Sequence, residues 1–286
     1  MKEKSKEILD GFRKKYDVPG SIADITPTVC ELFGLPFPEG CGAAPTACVV
    51  DQAFRIMDGE GKTQKALLFC ADALGEVQRN HYKEEFAAIE KVAGFRIPSS
   101  AVMPSVTPVC YGSIFSGAAP AVHGIEKYEK VVLTIETLFD VFAKAGKNVA
   151  IIAVNDCSID TIFRKRDIDY YSFRTDELCF QFARKLLSEN APYDLIVLYM
   201  TGYDELMHRN GIFSKEADEQ ARLASERFVT LAKEMDIYWK EYNRVLAFVP
   251  DHGCHNCDET HGGHGTEMPD DMVVNHYYRL MEGKKE

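Results

Sequence analysis

Four short apolar runs punctuate the chain: Ala66 to Cys70 (ALLFC), Val149 to Val154 (VAIIAV), Leu195 to Met200 (LIVLYM) and Val245 to Val249 (VLAFV). Each is bounded by polar or glycine-bearing segments, and the pattern predicts strands buried on both faces. Between them, Ile135 to Lys144, Glu177 to Leu187 and Glu216 to Tyr242 carry apolar residues at helical spacing with charged residues between, as amphipathic helices do. Such alternation predicts an α/β architecture with a mostly parallel sheet, because parallel neighbours need crossover connections and helices supply them. A further strand edge is expected around Ala101 to Val106. There are no internal repeats and no low-complexity tracts.

Composition narrows the class. At 286 residues the chain suits either two average domains or one large α/β domain with insertions. With 46% hydrophobic and 27% charged residues it is neither disordered, collagenous nor a coiled coil. A net charge of −11 argues against a nucleic-acid polymer or an anionic membrane as partner. The N-terminal stretch is charged, and no apolar run of about 18 residues occurs, so a cytoplasmic chain is expected. Nine scattered cysteines, an odd number, fit reduced thiols. Cys254 and Cys257 form one CxxC pair with no second at zinc-ribbon spacing, and are read as ordinary thiols.

In open parallel sheets ligands bind beyond the carboxyl ends of the strands, so the residues directly after each apolar run matter most. ALLFC is followed by Ala71 and Asp72; LIVLYM by Thr201, Gly202, Tyr203 and Asp204, with His208 one helical turn on; VLAFV by Pro250, Asp251 and His252. Singly, an aspartate after a strand is commonly a turn or capping residue, and a histidine commonly a surface or core residue. Together, with four of the eight histidines between His252 and His264, they outline a two-metal site in which an Asp-His pair reaches two ions about 3.5 to 4 Å apart. An oxygen and nitrogen donor set suits zinc first and manganese second. Two divalent cations outweigh three aspartates in charge and would favour a phosphate.

Thr107 and Pro108 read as the start of a helix, threonine at the N-cap and proline at the first helical position. Capping alone would account for the threonine. A hydroxyl beside free backbone N–H groups and the positive end of a helix dipole is also suited to an anionic oxygen, and next to a metal it can serve as a nucleophile.

The segment Met103 to Ile125, MPSVTPVCYGSIFSGAAPAVHGI, resembles the nucleophile segment of the alkaline phosphatase superfamily, in particular its type I phosphodiesterase/nucleotide pyrophosphatase branch. Asp72 in FCADALG, Asp204 and His208 in YDELMH, Asp251-His252-Gly253, and His264 in HGGHGTE follow in that family's order, so the likeness covers about residues 66 to 275. The resemblance implies a three-layer α/β/α fold. It also implies one metal on Asp72, Thr107, Asp251 and His252 and another on Asp204, His208 and His264, with His261 as the alternative to His264. The implied reaction is in-line attack by Thr107 on phosphorus, a phosphothreonine intermediate and its hydrolysis, acting on a small phosphorylated substrate. His123 is expected to fix the loop after the nucleophile helix.

The chain departs from that branch at Cys110, where the branch has an asparagine that holds a phosphate oxygen. Recognition is then left to backbone N–H groups, Tyr111 or a side chain from elsewhere. Residues 126–148 and 213–244 are too short for a sizeable cap domain, which disfavours a phosphomutase; a sulfatase is disfavoured because Thr107 cannot be converted to the aldehyde those enzymes need and no C-x-P-S-R stretch is present. The readings are therefore a phosphodiesterase-like hydrolase, a phosphomonoesterase or phosphomutase, or an inactive metal- or phosphate-binding member. Finally, SIADITPTVCELFGLPFPEG (21–40) looks like a helix segment that other branches carry after their last metal histidine. Residues 1–286 are accordingly read as a single catalytic domain, with residues 1–50 completing it in permuted order.

Overall fold

Alternating apolar side chains face opposite sides along every central strand, so the sheet must be covered twice. The structure, a computed structural model, describes residues 1–57 and 62–284. Its strands are β1 (Gly20–Ser21), β2 (Lys65–Ala71), β3 (Phe95–Ser100), β4 (Val149–Val154), β5 (Asp169–Phe173), β6 (Leu195–Met200), β7 (Arg244–Phe248), β8 (His255–Asn256), β9 (Gly262–Gly263) and β10 (Val273–Met281). Eight of them form one sheet in the order β1-β3-β10-β7-β2-β6-β4-β5, and β8 pairs with β9 in a separate hairpin. All neighbours in the large sheet are parallel except β10, which runs antiparallel to both β3 and β7.

Leu68, Cys70, Ile151, Val197, Tyr199 and Ala247 face one core, shared with helices 25–33, 107–116 and 138–144. Leu67, Phe69, Ile152, Leu198 and Phe248 face the other, under helices 83–93, 176–188 and 215–238. This is the expected three-layer α/β/α arrangement, and among the described residues only the small β8–β9 hairpin lies outside the main sheet as a strand pair. The helix 202–210 carries Asp204 and His208 on one face, one turn apart. Its start is anchored from the next layer: Asp176 accepts from Thr201 N at 3.1 Å and from Gly202 N at 2.8 Å.

Two expectations need correction. The strand placed at Ala101 to Val106 ends earlier, at Ser100, and the buried 101–106 segment is a loop leading to the helix at Thr107. Phe95–Ser100 contains Arg96 and Pro98 and so has no apolar run to betray it. Thr107 is also not the cap: Val106 holds that position, no side chain caps the helix, and Thr107 is its first residue with Pro108 second. The hydroxyl is therefore free for another role.

The N-terminal segment lies against the last strand and the helix at Thr107. β1 extends the sheet beside β3, Tyr16 OH donates to Glu267 O at 2.8 Å, and Thr26 Oγ1 donates to Ile114 O at 2.7 Å. Ser5 Oγ accepts from Ala119 N at 2.6 Å, just beyond the same helix.

Candidate metal centre

The strands β7, β2 and β6 are consecutive in the sheet, so the residues after their carboxyl ends are brought together: Asp251 and His252, Asp72, and Asp204 with His208. Thr107 arrives from the loop after β3, and His264 from the residue after β9. The structure gathers all seven. His252 Nε2 lies 3.5 Å from Asp72 Oδ1, 3.3 Å from Asp251 Oδ2 and 3.5 Å from Thr107 Oγ1. Asp204 Oδ1 lies 3.4 Å from His208 Nε2 and 3.3 Å from His264 Nε2. Two groups are compact enough for an ion each: Asp72, Asp251 and His252, and Asp204, His252 and His264. His261 stands apart, exposed and paired with Asp258, which leaves His264 as the residue brought to the cluster.

The hydrogen bonding around the cluster is that of a cation site. Nδ1 of His208 faces Gly262 O at 3.0 Å, that of His252 faces Gly253 O at 3.0 Å, and that of His264 faces Ser105 O at 2.8 Å. A carbonyl only accepts, so each Nδ1 carries the proton and each Nε2 presents a lone pair inward. The Nε2 atoms of His208 and His264 are 3.1 Å apart, and two lone pairs at that distance repel unless a proton or a cation lies between them. Asp72 Oδ1, Asp204 Oδ1 and Asp251 Oδ2 are buried without a hydrogen-bond partner, a costly arrangement unless something positive meets them. Among the described residues no lysine or arginine pairs with any of the three.

The electrostatics agree. Burial, then the neighbouring Asp251 and Asp204 charges, push the Asp72 carboxyl well up. Burial and Asp204 raise Asp251 to about 7, and burial pushes His252 well down. Burial opposes ionisation of Asp204 too, but with no cation present the His208 and His264 rings that face it, in their protonated form, overcome it and hold its carboxyl below the usual range. Without cations these acids and imidazoles must share protons; bound divalent ions would take their place. The residues present thus fit a divalent metal site, with His252 common to both compact groups.

Several partners carry weak signals in the chain. Tyr199, the aromatic near the end of an aliphatic strand, donates its hydroxyl proton to Asp72 Oδ2. Tyr128 is exposed as a residue, and partial burial of its phenol, followed by the charges of Asp204 and Asp72, raises its pKa above the ordinary value. His123 behaves as expected: buried, 3.1 Å from Ser113 Oγ, it accepts from Ile125 N at 3.2 Å. Tyr111 does not meet the expectation of phosphate contact, because it is buried and its hydroxyl faces Val249 O. Cys110 turns toward Val102 O inside the core. Pro108 has no N–H, and the N–H groups of Val109 and Cys110 bond to Val106 O. Of the first four helical residues, Thr107 alone keeps a free backbone donor.

No family model and no curated protein sequence matches the chain. Solved structures do. Phosphonoacetate hydrolase from Sinorhizobium meliloti 1021, in complex with phosphonoformate, matches with a TM-score of 0.52 at 19% identity, covering 70% of this chain and 59% of that one. An inactive variant of murine ectonucleotide pyrophosphatase/phosphodiesterase 5, in complex with AMP, matches with a TM-score of 0.54 at 17% identity, covering 68% and 59%. The C-terminal periplasmic domain of the phosphoethanolamine transferase EptC from Escherichia coli, in complex with zinc, matches with a TM-score of 0.52 at 15% identity, covering 80% and 76%. The match spans 59% of the length of the first two structures. These likenesses, with the sheet order and layers described above, establish that the chain has the alkaline phosphatase-like α/β/α fold.

Proposed function

We propose that this chain is a two-metal phosphoester hydrolase of the phosphodiesterase/nucleotide pyrophosphatase type, with Thr107 as its nucleophile. The observation that carries the reading is the meeting of Thr107 Oγ1, three orphaned carboxylate oxygens and three inward Nε2 lone pairs in one cluster. Asp72, Thr107, Asp251 and His252 would hold one ion and Asp204, His208 and His264 the other, zinc being favoured and manganese the alternative. Bound there, the pair supplies Lewis-acid charge that lowers the pKa of a hydroxyl and offsets the charge of a phosphoryl group.

The chain's own groups do the rest. Thr107 Oγ1 attacks phosphorus, the leaving-group oxygen departs opposite it, and the phosphothreonine is then hydrolysed by water. Thr107 N–H is the free backbone donor beside the attacking oxygen. Tyr199 orients Asp72, and the three backbone carbonyls hold the imidazoles to one tautomer. The phosphonate and AMP complexes of the structural neighbours support a small phosphorylated substrate.

Monoester hydrolysis is the second reading, favoured by one observation: Cys110 is buried against Val102 O, so no polar side chain stands at that position to hold a diester's free oxygen. Zinc- or manganese-loaded protein should release nitrophenol from a bis-nitrophenyl diester faster than from the monoester; the reverse order selects the second reading. Thr107→Ala should cut either rate by about a thousandfold or more while the metal content stays near that of the parent. Turnover by Thr107→Ala at the parent rate would exclude Thr107 as nucleophile, and no turnover by metal-loaded parent would indicate a binding protein.

A further inference from the structure

The β8–β9 hairpin carries a second group of reactive side chains that the metal reading leaves unused. Cys257, just after β8, is exposed. Its Sγ lies 4.0 Å from His255 Nε2. Nδ1 of the same ring is 2.7 Å from Asp271 Oδ1, and Asp271 is fully buried. The other oxygen of Asp271 accepts from Thr266 N at 2.9 Å and Thr266 Oγ1 at 2.7 Å, so the carboxylate is held in place from both sides.

A carboxylate bonded to Nδ1 keeps the proton on that nitrogen and leaves the Nε2 lone pair facing the thiol. Nucleophile, base and orienting acid thus stand in sequence, the order that activates a weak nucleophile. The thiol is also held: Cys257 N donates to His261 O at 2.9 Å, and Sγ packs so closely on Gly263 that a Cβ there would stand 2.5 Å from it. Asp258, next in the chain, uses its carboxylate on Thr260 N and His261 N at 2.7 and 2.9 Å.

We propose that Cys257, His255 and Asp271 form a thiol centre, separate from the metal cluster, that reacts with small disulfides. Cys257 Sγ attacks one sulfur of the disulfide and its proton passes to His255 Nε2. The S–S bond breaks, a mixed disulfide forms on Cys257, and the second half leaves as a thiolate with the bonding pair. His255 then returns the proton to solvent. The step needs no metal and no phosphoester.

The test is the rate at which dithiobis(nitrobenzoate) labels Cys257 at neutral pH, read by peptide mapping of the full chain. Burial or folding ordinarily slows a thiol; here the native protein should label Cys257 about tenfold faster than the urea-unfolded chain does. His255→Gln should bring the native rate to or below the unfolded one. Native labelling of Cys257 no faster than in the unfolded chain overturns the proposal, and so does a folded His255→Gln protein that reacts at the parent rate. The native-to-unfolded comparison needs no variant and decides the matter alone if His255→Gln fails to fold.

Discussion

Each side chain in the cluster is held by a distinct local device. His208 reaches it from an exposed helix face, with its side chain 42% accessible, and Nδ1 of its ring is held by Gly262 O. Truncation there leaves no buried hole, so on the proposed two-metal reading His208→Ala should keep the parent fold and bind about one metal equivalent fewer than the parent by elemental analysis. Two buried histidines away from the ligands give acid sensitivity. Burial lowers His276 and His123 each to about 4 from an ordinary 6.5. Between those values the unfolded chain binds protons that the folded one does not, so stability rises with pH across the window. Their contribution is complete above about 6.5 and is lost as pH falls through it toward 4. Melting temperatures recorded from pH 7 down to about 4 should fall in the parent and fall less steeply in His276→Gln; parallel curves would remove His276 from the account.

The elements set the positions that the residues refine. β7, β2 and β6 lie side by side, so three aspartates meet where their strands end. The turn after β7 is tight because Gly253 packs against the backbone before β10: a Cβ there would stand 2.0 Å from Asp270 O. That neighbour is main chain and cannot swing away. Gly253→Ala should therefore cost about 2 to 3 kcal/mol in denaturant unfolding and reduce metal binding, since Asp251 and His252 precede it directly. Unchanged stability would show that the turn has room after all. The helix that begins at Thr107 is similarly constrained, every one of its residues being buried. Thr107, the proposed nucleophile, has little freedom on such a helix to drift from the cluster.

Across the whole molecule, the N-terminal segment packs into the main sheet and one of its two cores. β1 continues the sheet beyond β3, helix 25–33 shares the core with helix 107–116, and Lys15 and Tyr16 reach Glu267 at 2.6 and 2.8 Å. We propose that residues 1–50 complete a single catalytic domain in permuted order. A chain opened between residues 57 and 62, with residue 284 joined to residue 1 by a flexible linker, should then fold with the metal content of the parent. Permutants that stay insoluble over a range of linker lengths would count against this reading.

The four central strands and the helices at 138–144, 176–188 and 215–238 were legible because an apolar run, or a helical stripe, is a property of neighbouring residues alone. The ligand types were legible for a related reason: parallel strands all deliver their following residues to one edge, so Asp72, Asp204 and Asp251 could be picked out before their distances were known. β3 and β10 were not legible, since Arg96, Pro98, Asn275 and Arg279 interrupt any apolar pattern and their pairing is settled by partners far away in the chain. Only the tertiary structure could choose His264 over His261, free Thr107 from a capping role, and turn Tyr111 into the core. Those outcomes depend on which carbonyl or carboxylate lies within about 3 Å, and such proximity arises when distant segments pack.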